Sequence, residues 1–201
     1  MPLSIIHFPH PTLRHVSRPI VRVDAKLKSM ADEMLDLMYE FDGVGLAANQ
    51  VDLPIRMFVA NPTGKRDEGE SWVILNPEID RPKGNDTAQE GCLSVPGLYG
   101  QVKRPKSVRL RGFDLQGNEI NQVLDGFMAR VVQHEVDHLD GIMFFDRIGE
   151  EGLRDLEGHL EEFKTDYESK QGTGSIADEA TLAQQRAEWE AMYTGGTTSN
   201  G

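Results

Sequence analysis

The stretch from Asp125 to Leu139 constrains this chain more than any other, because it is too apolar for a surface and yet carries two histidines. Phe127, Met128, Val131, Val132 and Val136 leave few polar positions, and Gly141 supplies a stop. The spacing therefore predicts a mostly buried helix. Within it lies His134-Glu135-Val136-Asp137-His138. Residues four apart share a helix face, so both imidazoles can reach one metal ion while Glu135 sits beside it as a base. Histidine pairs on surface helices merely face water. In a buried helix, imidazoles without a partner are costly, which favours the metal-site reading.

Such a site needs a third protein ligand, and a catalytic one keeps a position for water. Phe144 stands where the metzincin protease pattern has its third histidine, so that pattern is incomplete. A Glu from a following helix, Glu157 or Glu161, would instead make a thermolysin-like zinc endopeptidase, and spacing alone leaves this open. The single cysteine, Cys92, cannot form an internal disulfide. It is a small buried apolar residue, a reactive thiol or a metal ligand, and taken alone the first is the default.

A length of 201 residues with 38% hydrophobic content suits one domain and an extension. The boundary is drawn at a catalytic domain over 1–168 and an acidic C-terminal extension over 169–201, helical or partly disordered. The net charge of −12 is uneven, with −8 on residues 149–201 and −4 on residues 1–148. Nucleic-acid affinity comes largely from clustered positive charge, so direct nucleic-acid binding is not expected. The start from Met1 to His7 lacks a basic, apolar signal peptide, and no run reaches the ~18 apolar residues of a membrane span. A cytoplasmic protein with no membrane partner is expected.

Leu27, Met30, Ala31, Met34, Leu35, Met38 and Phe41 follow helical spacing between an N-cap at Asp24 and a stop at Gly43. Arg56–Ala60 and Trp72–Leu75 read as strands, and the segments around Val108–Phe113 and Glu119–Leu124 as a hairpin with one wet face. Leu153, Leu156, Leu160 and Phe163 predict a third helix. Lys170–Ser175 has linker composition, and Ser175-x-x-Asp178 reads as the start of a polar helix reaching about Tyr193.

Three segments then fall into one pattern: Gly43-Val44-Gly45-Leu46-Ala47-Ala48-Asn49-Gln50, Glu90-Gly91-Cys92-Leu93-Ser94-Val95-Pro96-Gly97 and His134–His138. In order and separation they resemble the signature motifs of the peptide deformylase family. The resemblance covers roughly residues 5–148, including Asn76-Pro77-Glu78-Ile79 and Gly141–Asp146. It implies an α+β fold with antiparallel strands packed around a central buried metal-binding helix, here followed by a C-terminal helical extension. It also implies removal of the formyl group from N-formylmethionyl peptides and nascent chains, with transient ribosome proximity.

By the same resemblance Cys92, His134 and His138 bind one divalent metal, Fe(II) by preference, and Glu135 is the proton carrier and not a ligand. The donor set also accepts Zn(II), Ni(II) or Co(II). The Gln50 side-chain amide and the Leu93 backbone N–H are the donors to the reacting carbonyl, and the Gly45 main chain holds substrate, with Val44 and Leu93 in apolar contact. Glu90 and Tyr99 join the substrate-binding set; Tyr99 stands where one branch of the family carries an arginine. Phe127 and Val131, at i−7 and i−3 from His134, are placed by helix geometry on the side-chain pocket. Arg130 shares that face and is assigned to the rim or to a carboxylate partner. Arg104 is an alternative basic contact, with solvated surface charge as its default reading. The acidic extension is unsuited to docking on phosphate, and its removal near Gln171 is expected to leave turnover of small formyl-peptides intact. A catalytically silent module that binds N-terminal methionine is the remaining rival.

Overall fold

The computed structural model describes residues 2–195. Helix α1 spans Ala25–Glu40, β1 Gly45–Ala47, β2 Met57–Ala60, β3 Trp72–Lys83, β4 Asp86–Gly91, β5 Tyr99–Arg104, β6 Ser107–Phe113, β7 Glu119–Asp125, α2 Gly126–Leu139, α3 Glu150–Gly172 and α4 Glu179–Tyr193. The helices accompany two antiparallel sheets, one of five strands in the order β1-β2-β3-β6-β7 and one a β4-β5 hairpin.

The unbroken apolar run Met57–Ala60 has a simple cause: successive side chains point to opposite faces, and here both faces are covered. Met57 and Val59 join Leu46 and Leu75 against Leu27, Met30, Ala31, Met34 and Met38 of α1. Phe58 and Ala60 join Ala47, Ile74, Val108, Leu110 and Leu124 against Ala129, Val131, Val132, Val136 and Leu139 of α2. The sheet is thus clamped between α1 and α2. A third cluster, with Phe8, Leu13, Val95, Leu98, Val102, Met143, Phe144, Phe145 and Leu160, joins the N-terminal segment, the hairpin and α3.

Local chemistry sets the element ends. Asp24 caps α1, its side chain accepting from the Leu27 N–H at 2.9 Å. Beyond the end of α1 the Gly43 N–H closes on the Met38 carbonyl at 2.8 Å. Gly141 has φ 73° and a Cβ there would lie 2.6 Å from the Arg14 carbonyl oxygen, so only glycine ends α2 in this way. The β6–β7 hairpin has the expected wet face. Phe113 nevertheless points outward at 40% exposure, because period two places Gly112 inward beside Val108 and Leu110.

Two boundaries differ from the sequence reading. α3 runs through the linker-like Lys170–Gly172, and the break occupies Thr173–Ala177. Asp178 itself caps α4 through the Thr181 N–H at 2.7 Å, and not Ser175. α4 is also tied to the core: Tyr193 is fully buried, its hydroxyl donates to Asp24 Oδ1 at 3.1 Å, and its carbonyl accepts from the Val21 N–H at 2.8 Å. Glu190 accepts from His15 at 2.8 Å and Arg18 at 3.2 Å. Residues 196–201 of the acidic extension lie outside the described residues.

Deleting a buried aromatic side chain costs about 3–5 kcal/mol, and in a chain this long each kcal/mol lowers Tm by roughly 2–4 °C. Tyr193→Ala is therefore expected to lower the midpoint of thermal unfolding by about 6 °C or more, measured by near-UV circular dichroism. An unchanged midpoint would show that α4 is energetically separate from the sheet it touches.

Candidate metal centre

α2 projects His134 and His138 from one face, one turn apart, and the loop that follows β4 brings Cys92 to them. Cys92 Sγ lies 3.1 Å from His138 Nε2, which lies 3.1 Å from His134 Nε2. All three donor atoms fall within 4.8 Å of one another. Metal–nitrogen and metal–sulfur bonds of about 2.0–2.3 Å in a tetrahedron put ligand atoms about 3.3–3.7 Å apart, so the cluster is of the size that a divalent ion needs.

Electrostatics gives an independent test of that fit. Burial opposes charge on His134, yet the Cys92 thiol and the Glu90 and Glu135 carboxylates outweigh it and raise the imidazole to about 10. Burial, and then the charge on His134, drives His138 well below its ordinary value. Two imidazole rings whose nitrogens lie 3.1 Å apart cannot both be charged. A cation shared with the Cys92 thiolate takes both nitrogens as neutral ligands at once.

Glu135 faces the same space without being needed as a ligand. It is 3% exposed, burial raises its carboxyl to about 7, and its Oε2 has no partner among the described residues. Its closeness to β1 explains Gly45. A Cβ at Gly45 would lie 2.3 Å from Glu135 Oε1, so any larger residue would push the carboxylate away. Gln50, on the short turn after β1, is locked in place: its Oε1 accepts from the Ala47 N–H at 2.9 Å. Its Nε2 donates to Ser94 Oγ at 3.2 Å and Cys92 Sγ at 3.3 Å.

These groups form the polar floor of a cleft of about 960 Å³. Val44, Leu93, Phe127, Val131 and Tyr99 line it, so the structure gathers the expected residues in one place. Their depth differs. Val131 is buried, whereas Phe127 and Tyr99 are 55% and 59% exposed at the mouth. Tyr99 lies over Gly91, where a Cβ would meet its ring at 2.7 Å.

Two expectations are corrected and a third is resolved. Glu90 borders the cleft, but both its oxygens are engaged: Oε1 by Arg104 Nε at 2.7 Å and Arg130 at 2.6 Å, Oε2 by Arg104 at 2.9 Å and His134 Nδ1 at 3.0 Å. Burial would raise its pKa, and the His134 and Arg104 contacts hold it far below the usual carboxylate range. It therefore orients His134 and has no lone pair directed at substrate. Arg104 is no surface charge; at 3% exposure it pairs with Glu90 and, at 2.6 Å, with Asp137. Arg130, assigned to the rim or to a carboxylate, takes the carboxylate of Glu90 while also lining the cleft. Sequence reading missed Ser94, Asp137 and Arg147. For Asp137 the available signal was a charged residue in a helix otherwise apolar, since such residues are buried only when paired; Ser94 and Arg147 carried none.

Glu157 and Glu161, the ligands an endopeptidase would need, are exposed on α3, with Glu161 paired to Lys164. Among the described residues, the candidate ligand cluster is Cys92, His134 and His138.

Convergent donors, His138 buried and Cys92 and His134 half-buried, with a free carboxylate beside them at the floor of an apolar cleft are the parts of a metal-dependent hydrolytic site. The chain belongs to the polypeptide deformylase family, whose model matches residues 2–153. It is 41% identical over 173 residues to the chloroplastic peptide deformylase 1B of Solanum lycopersicum, covering 86% of this chain and 62% of the relative. The peptide deformylase of Mesorhizobium japonicum is 43% identical over 150 residues, or 74% of this chain and 85% of that one. The crystal structure of a plant peptide deformylase 1B superposes with a TM-score of 0.83 at 40% identity, covering 86% of this chain and 94% of that one. The chain thus spans less than two thirds of the tomato relative's length.

Replacing Cys92 by Ala should reduce metal bound after anaerobic purification from about one ion per chain to near zero, whereas Glu157→Gln and Glu161→Gln should leave it unchanged. Elemental analysis of the three variants is the measurement. Retention of metal by Cys92→Ala would exclude the thiolate from the ligand set.

Proposed function

We propose that this protein removes the formyl group from N-formylmethionyl peptides and nascent chains, with Cys92, His134 and His138 holding one divalent metal. α2 is in this reading the central metal-binding helix, buried between the sheet and the hairpin. The observation that carries the reading is Glu135, beside the ligand cluster yet uncommitted to it, held against Gly45 at the floor of an apolar cleft.

When bound, the metal supplies a Lewis acid that activates water and polarises the formyl carbonyl. Glu135 takes the proton from that water and delivers it to the departing amine nitrogen as the C–N bond breaks, so formate and a free amino terminus are released. Burial suits it to this task, because it pushes the carboxyl above its ordinary range and so strengthens it as a proton acceptor. Gln50 Nε2 and the Leu93 N–H donate to the carbonyl oxygen as it gains charge. Gln50 is held beforehand through Oε1 by the Ala47 N–H and through Nε2 by Ser94, and the hydrogen that Nε2 gives to Cys92 Sγ is the one redirected to the carbonyl oxygen. The Gly45 main chain aligns the peptide, and Val131 with Phe127 receives the methionine side chain, which buries well in an apolar pocket. Tyr99 closes the mouth.

Fe(II) is the metal this proposal favours, because the family resemblance points to it and the mixed thiolate and imidazole set accepts it. The location proposed is the cytoplasm, where nascent chains carry the formyl group, with only transient ribosome proximity; the tomato relative is described as chloroplastic. No described helix is long and apolar enough to cross a membrane. The boundary near residue 168 marks in this proposal where catalytic residues end, not where packing ends.

Turnover of formyl-Met-Ala should fall at least about 10²-fold in Glu135→Gln, and by about 10²–10³-fold in Gln50→Ala, with metal content unchanged in both. Full activity of Glu135→Gln would sink the mechanism. Cys92 is only half-buried, so oxidant can reach its sulfur beside ferrous iron. Activity and bound iron should therefore decline together in air and persist under argon; equal values in the two atmospheres would argue against Fe(II).

A further inference from the structure

We infer that Asp137 and Arg104 are positioning residues that hold the His134 ring in its ligating orientation through a closed ring of buried contacts. The inference rests on the metal reading proposed above. His134 Nδ1 meets Glu90 Oε2 at 3.0 Å, which directs Nε2 towards Cys92 and His138. Glu90, however, sits on β4, a separate element free to shift against α2 unless something ties it there. Arg104, across the hairpin on β5, supplies the tie. Its Nε and one terminal nitrogen grip both Glu90 oxygens at 2.7 and 2.9 Å, and its other terminal nitrogen reaches Asp137 Oδ2 at 2.6 Å.

Asp137 lies three residues after His134 on the same helix, so contacts that leave α2 at His134 return to it one turn later. Turning the imidazole would require Glu90 to move, and Glu90 cannot move without pulling Arg104 off Asp137. Glu90, Arg104 and Asp137 are all buried, so water does not compete for these bonds. Two guanidiniums brace the ring from outside: Arg130 donates to Glu90 Oε1 at 2.6 Å, and Arg147 forks both oxygens of Asp137. Arg130 also reaches Asp86 at 3.3 Å. Three guanidiniums thus face three carboxylates, and the assembly is balanced with His134 uncharged, as a metal ligand must be. This gives a physical reason for an acidic residue at position 137 in a helix whose next inward neighbours are apolar.

Glu90 and His134 border the first cleft, but the Arg104–Asp137 side of the ring faces away from it. Arg104, Asp137 and Arg147 line a second cleft of about 550 Å³ on the other side of α2 and do not line the first. A change at these positions therefore reaches the metal centre only through Glu90 and His134.

The test uses full-length protein loaded anaerobically with Co(II), whose visible absorption reports ligand geometry, with affinity measured by competition against a chelator. Asp137→Asn, which keeps the shape but removes the charge, and Arg104→Gln should each weaken Co(II) binding by roughly 10–100-fold and shift the visible band. Arg104→Lys, which keeps the charge and loses the fork, should restore only part of the affinity. Arg147→Gln, at the exposed end, should show the same change in smaller measure and covers the case in which Arg104→Gln does not fold. Arg111→Gln removes the Arg111–Glu78 pair at the rim of the same second cleft and should leave spectrum and affinity unchanged. Wild-type spectra and affinities for both Asp137→Asn and Arg104→Lys would overturn the ring while leaving the metal reading intact. A wild-type protein that takes up no Co(II) would overturn both.

Discussion

Everything at the centre of this molecule follows from burying a helix that is not apolar all round. α2 covers the sheet with Ala129, Val131, Val132, Val136 and Leu139, and the same fourteen residues carry Arg130, Gln133, Glu135, Asp137 and His138 below 9% exposure. Each such polar group costs free energy unless a partner meets it. The hairpin β4-β5 supplies most of the partners. Glu90 and Arg104 approach α2 from β4 and β5, while the Gln133 amide is satisfied by the carbonyls of Pro105 and Ala129. What remains unpaired on α2 is informative: Glu135 Oε2 and His138 Nδ1, on the two side chains at the donor cluster.

Close packing on the other side of the site is as demanding. β1 is only three residues long, yet it must run past the Glu135 carboxylate at a distance that excludes a Cβ. Its Leu46 and Ala47 anchor it to opposite layers, so the strand cannot back away from α2 without opening both cores. The Gln50 amide is held at the end of that strand by its own neighbours, Ala47 and Ser94. A rigid scaffold of this kind supports chemistry in which hydrogen-bond donors must already point to where charge will develop.

The C-terminal extension shows how charge and packing act separately. The net charge of −8 on residues 149–201 suggests a solvated appendage, but Tyr193 and Leu182 are buried and Glu190 is engaged by His15 and Arg18. A few apolar anchors suffice to dock a helix whose remaining faces are polar.

The sequence by itself determined α2 and its two histidines, the N-cap and apolar face of α1, the wet-faced hairpin, and three motifs that mark the family. Those features are local: they depend on spacing along one helix, alternation along one strand, or residue order. Cys92 as a candidate ligand was legible only through resemblance, because nothing within its own segment fixes how close its sulfur comes to α2. Only the tertiary structure decided that Arg104 is buried, that Glu90 faces His134 instead of substrate, that Asp137 and Arg147 belong to the same network, and that α4 packs on the core. Each of these depends on which side chains from distant segments meet, and a salt bridge between β4, β5 and α2 leaves no period in the sequence. A charged residue announces that it needs a partner or water; the fold alone chooses which.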